Sequence, residues 1–340
     1  MKIAVIFGGS SKERDVSIAS GLEVISGLRA GGHDVIAVDT AKGVLTTEAE
    51  DSLAGFKVLN KPREASTHVG TLVRSPLAVV SVPEIKNVDV VFIALHGGAG
   101  EDGTFQALLE ASNIPFTGSG RLASAIAMDK DVSKRLMVSV GVPTPAWQMF
   151  MSGDNSKKNI LGYPVVVKPN SQGSTIGLSL VHDPEVLPSA IAKAAQFDDE
   201  IMLETYVDGR ELTVGILDGE ALVVGEIVAH SGIFDYESKY QRGRAQEIFP
   251  ADITTAKSSE IKELGVRVHN ALKLGDYSRV DFRMDGDGNL WCLEANSVPG
   301  LTPNSLLPQS AKAAGIEFPE LCERICKLGI TRSRDGKINH

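Results

Sequence analysis

Five consecutive apolar residues, Ile3 to Phe7, run into Gly8-Gly9-Ser10-Ser11, and a helix-compatible stretch continues to about Ala30 before a second apolar run, Val35 to Val38. A short apolar run closed by glycines and followed by a helical period predicts strand, turn and helix, and the second run supplies the next strand. Val88 to Leu95 predicts another buried strand, ending at His96-Gly97-Gly98. The pattern is that of an open parallel α/β unit, in which ligands gather at the carboxyl ends of the strands. Residues 43 to 85 carry no pattern that assigns them and are expected to form small strands and loops away from the chemistry.

From Glu101 the pattern changes. A helix to about Ser112 and a second from Arg121 to Val140 precede strands at Pro164–Lys168 and Glu200–Glu204. Short strands follow at 211–217, 220–228, 277–285 and 290–296, with one helix at about 255–272. Boundaries near 97 and near 207 divide the chain into units 1–97, 98–207 and 208–340, the first α/β and the others α/β or α+β. The polar tail after Ile330 lacks an apolar period and is expected to fray.

The segment Tyr277 to Asn296 alternates on both sides of Asp285-Gly-Asp-Gly288, a hairpin signal. Period-two side chains place Val280, Phe282, Met284, Trp291, Leu293 and Ala295 on one face and Arg279, Asp281, Arg283, Glu294 and Asn296 on the other. Two carboxylates, an amide and guanidinium groups beside an apolar face suit hard cations held next to phosphate. Taken alone, a solvated face of ion pairs has the same composition. A calcium loop starting at Asp285 is excluded, because its sixth position is Leu290 and its twelfth is Asn296.

A second signal is Lys168, at a strand end, followed by a turn containing Gly173, Ser174, Thr175 and Gly177. Backbone N–H groups of such a turn close over phosphate oxygens while the lysine supplies a point charge. The spacing matches neither the P-loop nor the dinucleotide fingerprint, and a plain hairpin loop is the alternative.

Length and charge narrow the partners. A chain of 340 residues accommodates two or three domains around one site. With 34 Lys plus Arg against 43 Asp plus Glu, a net charge of -9, no nucleic acid partner is expected. Cys322 and Cys326 sit one helical turn apart without a His or third Cys to complete a metal set, so all three cysteines read as packed thiols in a reducing compartment. The first apolar run is too short for a signal peptide or membrane span, which makes the expectation a soluble cytoplasmic protein without a membrane partner.

Together the hairpin and the Lys168 turn resemble the ATP-grasp superfamily, in which ATP lies between two α+β domains and magnesium is held by two acids and an Asn on paired strands. Glu204-Thr-Tyr-Val207 is similar to the hinge strand whose backbone reads adenine, Glu211 to the acid on the ribose hydroxyls, and Lys130 in Met128-Asp-Lys130 to a phosphate-contacting lysine. Within the superfamily the chain resembles the D-alanine:D-alanine ligases over nearly its whole length. The segments that carry this are Gly8 to Ser17, His96 to Thr104, Phe116 to Gly120, Tyr236 to Tyr240 and Glu294 to Gly300, with departures at Val298, Leu301 and Pro303.

The resemblance implies a three-domain ATP-grasp fold with an N-terminal open parallel α/β domain and a lid loop at about 230–245. It implies ligation of two D-alanines to D-alanyl-D-alanine through a D-alanyl phosphate, for peptidoglycan precursors, with ATP and two Mg2+ (or Mn2+). Asp281, Glu294 and Asn296 would hold the metal, and Lys130, Lys168, Ser174, Thr175, Glu204, Val207 and Glu211 the nucleotide. Glu13 would bind the ammonium of the first D-alanine, joined by Ser174 and Tyr240, with Arg279 and the Gly300 N–H on the oxyanion. His96, Lys239, Ser305 and Leu306 would contact the two substrates. A homodimer is implied as well. The alternatives are a D-alanine:D-serine or D-alanine:D-lactate ligase and a nucleotide-binding regulator without turnover. A dehydrogenase is disfavoured because Gly8-Gly9-Ser10-Ser11 does not continue into the dinucleotide fingerprint.

Overall fold

The computed structural model describes residues 1–53, 55–56, 58, 75–153, 158–229 and 245–334. Strand β1 (Lys2–Phe7) lies parallel to β2 (Asp34–Asp39), with the two-residue β3 (Gly43–Val44) antiparallel on its far edge, and parallel to β4 (Val90–Ile93) on the other side. Helix α1 (Arg14–Ala30) makes the crossover and packs on β1. Gly21 permits that approach, since a Cβ there would stand 2.5 Å from Phe7 Cβ. The described parts of residues 43–86 hold three short helices, α2 (Thr47–Asp51), α3 (Pro76–Val80) and α4 (Pro83–Lys86). After β4 comes α5 (Thr104–Ala111), and Phe116 then bridges Val91 in parallel, so the chain returns to the first sheet.

The single helix expected from Arg121 to Val140 is two, α6 (Arg121–Met128) and α7 (Lys130–Ser139). Asp129 breaks it: its backbone is extended and its side chain accepts the Val132 N–H at 3.0 Å, capping α7. An antiparallel sheet follows from β5 (Trp147–Met151), β6 (Val165–Pro169), β7 (Ser179–Val181) and β8 (Glu200–Thr205) in the order β5-β8-β6-β7. Helix α8 (Leu187–Ala194) covers one face of it, over Val165, Val167, Ile201 and Leu203.

The third sheet is antiparallel, with β9 (Arg210–Leu217), β10 (Glu220–Ala229), β11 (Ala245–Ile248), β12 (Tyr277–Met284) and β13 (Leu290–Asn296) in the order β11-β10-β9-β12-β13. Its core face meets α9 (Thr255–Ala271) through Leu212, Val214, Val280 and Phe282. The divisions proposed near 97 and near 207 fall just after β4 and between β8 and β9.

The β12/β13 register corrects one expectation. Arg279 opposes Asn296, Val280 opposes Ala295 and Asp281 opposes Glu294, and beyond a bulge Phe282 opposes Cys292 and Arg283 opposes Trp291. Unbroken alternation would have sent Trp291 and Leu293 to the core. The extra residue on β13 shifts the phase, so Leu290 and Cys292 join the core while Leu293 lines a cleft on the other side.

Two helices close the chain, α10 (Leu306–Ala313) and α11 (Phe318–Arg334). Leu321, Cys322, Ile325 and Cys326 of α11 form one buried stripe, and it packs with Ile3, Val5 and Phe92 of the first sheet. Where fraying is expected after Ile330, α11 instead continues to Arg334; residues 335–340 lie outside the described residues. Arg332 pairs with Asp276 at 3.1 Å and donates to the Phe116 carbonyl at 2.7 Å, which pins the last turn.

His269 of α9 is buried against β12, with Nδ1 2.8 Å from the Ser278 hydroxyl, and burial holds the imidazole down at about 4 against an ordinary value of 6.5. The unfolded chain therefore binds a proton that the folded chain refuses between those values. Stability from this site is complete above pH 6.5 and is lost as pH falls towards 4, by about 3 kcal/mol. Urea unfolding of wild type and His269→Gln at pH 7 and pH 5 checks this: the gap between the two proteins should narrow in acid. A constant gap would contradict it.

Candidate active site

The second and third sheets face each other across an open cleft. One wall carries Lys168, the turn Gly173 to Ile176 and the end of β8 with the residues after it, Glu204 to Val207, and the other carries Glu211, Arg279, Asp281, Arg283, Glu294 and Leu306. Val166, Ile176, Leu178 and Leu293 give it an apolar stretch beside these charges, as small-molecule sites require.

The cations of the cleft are held by buried partners. Lys168 Nζ donates to Glu204 Oε2 at 2.7 Å, and Lys134 Nζ donates to Oε1 of the same carboxylate at 2.5 Å and to the Thr144 hydroxyl at 2.6 Å. Burial alone would raise the Glu204 carboxyl, but the two ammonium groups overrule it and hold it at about 2. Lys130, on the same helix, donates to the Gln172 carbonyl at 2.6 Å and lies 3.7 Å from Glu294 Oε2.

After β6 the backbone turns through Ser174 at φ 51° and Thr175 at φ 58°. Side-chain-bearing residues in this region cost about 1–3 kcal/mol each, and such geometry concentrates at ligand sites. The Ser174 hydroxyl donates to Glu13 Oε1, joining the turn to the start of α1.

Asp281 accepts both Nε and Nη2 of Arg279, at 2.9 and 2.8 Å, the Thr213 hydroxyl at 2.7 Å and Asn296 Nδ2 at 3.0 Å. Glu294 stands directly across from it on β13. Two carboxylates and an amide converge from adjoining strands beside Lys130, and this all-oxygen donor set fits a hard divalent cation such as Mg2+. Glu211 lies 3.9 Å from Arg283 Nη1.

Further from this cluster, Glu13 is buried under Gly97, where a Cβ would stand 2.8 Å from Glu13 Oε2 and φ is +69°. His96 is fixed through both ring nitrogens, Nδ1 3.3 Å from Glu101 Oε1 and Nε2 2.9 Å from the Ser20 hydroxyl. It lines a separate cavity with Gly9, Ser11 and Thr40 rather than the main cleft. Ser20 Oγ accepts the Leu301 N–H at 3.3 Å, which connects His96 to the chain beside Gly300. Ser305 Oγ accepts the Thr302 N–H at 3.1 Å, and a Cβ on Gly300 would come within 2.9 Å of it.

Eleven of the anticipated residues thus line one cleft: Lys130, Lys168, Ser174, Thr175, Glu204, Val207, Glu211, Arg279, Asp281, Glu294 and Leu306. Asn296 and Glu13 touch members of it, while His96, Gly300 and Ser305 sit apart. Lys239, Tyr240 and all of the lid expected at about 230–245 except Ala245, which begins β11, lie outside the described residues. Sequence reasoning missed Lys134, Thr213 and Leu293. Lys134 follows Lys130 by one helical turn, a spacing that puts both on one face. Thr213 and Leu293 carry no such signal.

Residues 2–119 match the family described as D-ala D-ala ligase N-terminus, and residues 136–327 match D-ala D-ala ligase C-terminus. The chain is 38% identical over 339 residues to the D-alanine–D-alanine ligase of Pediococcus pentosaceus, covering 96% of each protein. With that of Citrifermentans bemidjiense it shares 40% over 325 residues, covering 95% of this chain and 94% of the relative. Its fold is similar to the crystal structure of D-alanine–D-alanine ligase from Bacillus anthracis complexed with ATP, at a TM-score of 0.79, 29% identity and 99% coverage of both chains.

The twofold use of Glu204 has a measurable cost of removal. Glu204→Gln should destabilise the protein by about 3–5 kcal/mol, because Lys134 and Lys168 lose the charge they share in a buried place. Exposed Glu220→Gln should cost under about 0.5 kcal/mol. Thermal unfolding of the two variants at pH 7 gives the comparison, and equal midpoints would refute it.

Proposed function

The chain belongs to the D-alanine–D-alanine ligase family, and we propose that it joins two D-alanines to D-alanyl-D-alanine in the cleft between the second and third sheets, with ATP cleaved to ADP and phosphate. The observation that carries this is one cleft holding Lys130 and Lys168 opposite Asp281, Glu294 and Arg279, with Ser174 reaching to Glu13.

A carboxylate does not form an amide bond unaided, so the first D-alanine is activated by phosphoryl transfer to a D-alanyl phosphate. Glu13 offers a carboxylate to the ammonium of that D-alanine. Lys130 and Lys168 meet the charge on the transferring phosphates, Thr175 and the backbone of its turn close over them, and Glu211 faces the ribose hydroxyls. Val207, at the hinge, offers its backbone to the adenine, and Leu293 supplies apolar surface beside it. Asp281, Glu294 and Asn296 would hold magnesium, which when bound supplies positive charge against the phosphate oxygens.

The second D-alanine then attacks with its amine. Arg279 turns from its partner Asp281 towards the oxyanion, together with the Gly300 N–H, and loss of one such donor typically costs about 2.7–4 kcal/mol of barrier. Ser305, Leu306 and Lys239 receive the acceptor, and His96 orients the loop beside the first substrate through Ser20. Tyr240 and the lid would exclude water from the acyl phosphate. A homodimer in the cytoplasm completes the proposal. Three buried free thiols suit a reducing compartment, and light scattering measures the assembly.

ADP, phosphate and dipeptide should form in equal amounts, dependent on magnesium and D-alanine, and AMP with pyrophosphate would sink the proposal. Glu294→Gln and Asp281→Asn should each abolish turnover while the protein stays folded by circular dichroism, and normal activity in either would overturn the metal set. Wild type offered D-alanine and D-lactate together at neutral pH should make mostly the dipeptide. Tyr240→His should raise the share of D-alanyl-D-lactate, most in acid, because a cationic imidazole repels the acceptor ammonium and tolerates a neutral hydroxyl. Product mass spectrometry between about pH 6 and 9 reads the ratio over the range in which an imidazole changes charge.

A further inference from the structure

We propose that Lys134 is a positioning residue for phosphoryl transfer: by holding one oxygen of Glu204 it leaves the other to Lys168, and through Thr144 it ties that lysine to β13, the strand bearing Glu294. Lys134 belongs to neither the nucleotide nor the metal set, and its side chain has no exposure at all. Its position nevertheless joins both walls of the cleft.

On one side the carboxylate of Glu204 is divided, Oε1 to Lys134 and Oε2 to Lys168. A buried carboxylate facing Lys168 alone would be free to draw both oxygens onto that ammonium, pulling its charge back from the cleft. On the other side, Lys134 Nζ reaches Thr144 Oγ1 at 2.6 Å, and that hydroxyl donates to the Cys292 carbonyl at 2.8 Å. The Cys292 N–H in turn bonds the Pro143 carbonyl at 2.8 Å, so β13 is gripped next to the segment that holds Lys134, two residues before Glu294. The ammonium also lies 5.2 Å from the centre of the Trp147 ring on β5, which closes off its remaining side. Burial lowers the lysine from its ordinary range, and the Glu204 carboxylate opposes that fall.

A chain of four groups, Lys168, Glu204, Lys134 and Thr144, ending on the Cys292 carbonyl, therefore links Lys168 to the strand that bears Glu294. Lys168 acts on a phosphoryl group whose charge is redistributed during transfer, so a misplaced ammonium lowers the rate of the step more than it weakens ATP binding.

The inference rests on the ligase reading, which wild-type ADP release with D-alanine tests first and separately. With the full chain, kcat and KM for ATP are then measured for Lys134→Met, Thr144→Val, Lys168→Met and the two doubles with Lys168→Met. Lys134→Met should lower kcat about 100-fold with KM for ATP changed less than about threefold, and Thr144→Val should lower kcat about three- to tenfold. Each double should be no slower than Lys168→Met alone, because the effect passes through Lys168. Wild-type kcat in folded Lys134→Met, or losses that multiply in the doubles, would overturn the proposal. If Lys134→Met does not fold, Thr144→Val and its double decide: an unchanged kcat or a multiplying loss rejects the role.

Discussion

Two carboxylates, Asp281 and Glu294, stand directly across from each other on paired strands, and like charges in that relation repel unless cations are brought to them. Much of the site follows from this constraint. Arg279 spends two of its donors on Asp281, Thr213 adds a hydroxyl, Asn296 adds an amide, and Lys130 comes within 3.7 Å of Glu294. Without a metal these groups keep the acids together. In the proposed ligase a divalent cation would take over part of that task, which would leave Arg279 available for a negative charge elsewhere.

The facing wall has the opposite sign. There two ammonium groups share one carboxylate, with Lys134 and Lys168 on either oxygen of Glu204. A polyphosphate between the walls meets surplus positive charge on one side and acids that require cations on the other. This arrangement favours a metal-bound nucleotide over either component alone. Glu13 stands at the start of the first sheet's helix but meets the same turn through Ser174, so this end of the cleft is assembled from two sheets that are otherwise distant in the chain.

Much of this was legible in the residues. Apolar runs ended by glycine located β1 and β4, the hairpin signal at Asp285-Gly286 located β12 and β13, and the helical period located α1 and α9. Asp129 was not legible as a break, because the helical period continues through it and only its capping bond reveals the boundary. Nor was the bulge: Trp291 and Leu293 are apolar and spaced by two, so the identities alternate correctly although the backbone does not. Arg332 looked like part of a polar tail because its partner, Asp276, is remote in sequence. Lys134 had the spacing of a site residue but the composition of an exposed helix face, and only complete burial separates the two. The roles of Lys239 and Tyr240 came from family resemblance alone.

The return of α11 to the first sheet carries a consequence for biosynthesis. Ile3, Val5 and Phe92 are made well before the side chains that seal them, Leu321, Cys322, Ile325 and Cys326. The first unit is thus denied an ordinary amino-to-carboxyl order of maturation. Its apolar surface stays open while the two later sheets form, and completion of α11 covers it. Synthesis of α11, rather than of its own residues, marks the moment at which that unit can close its core.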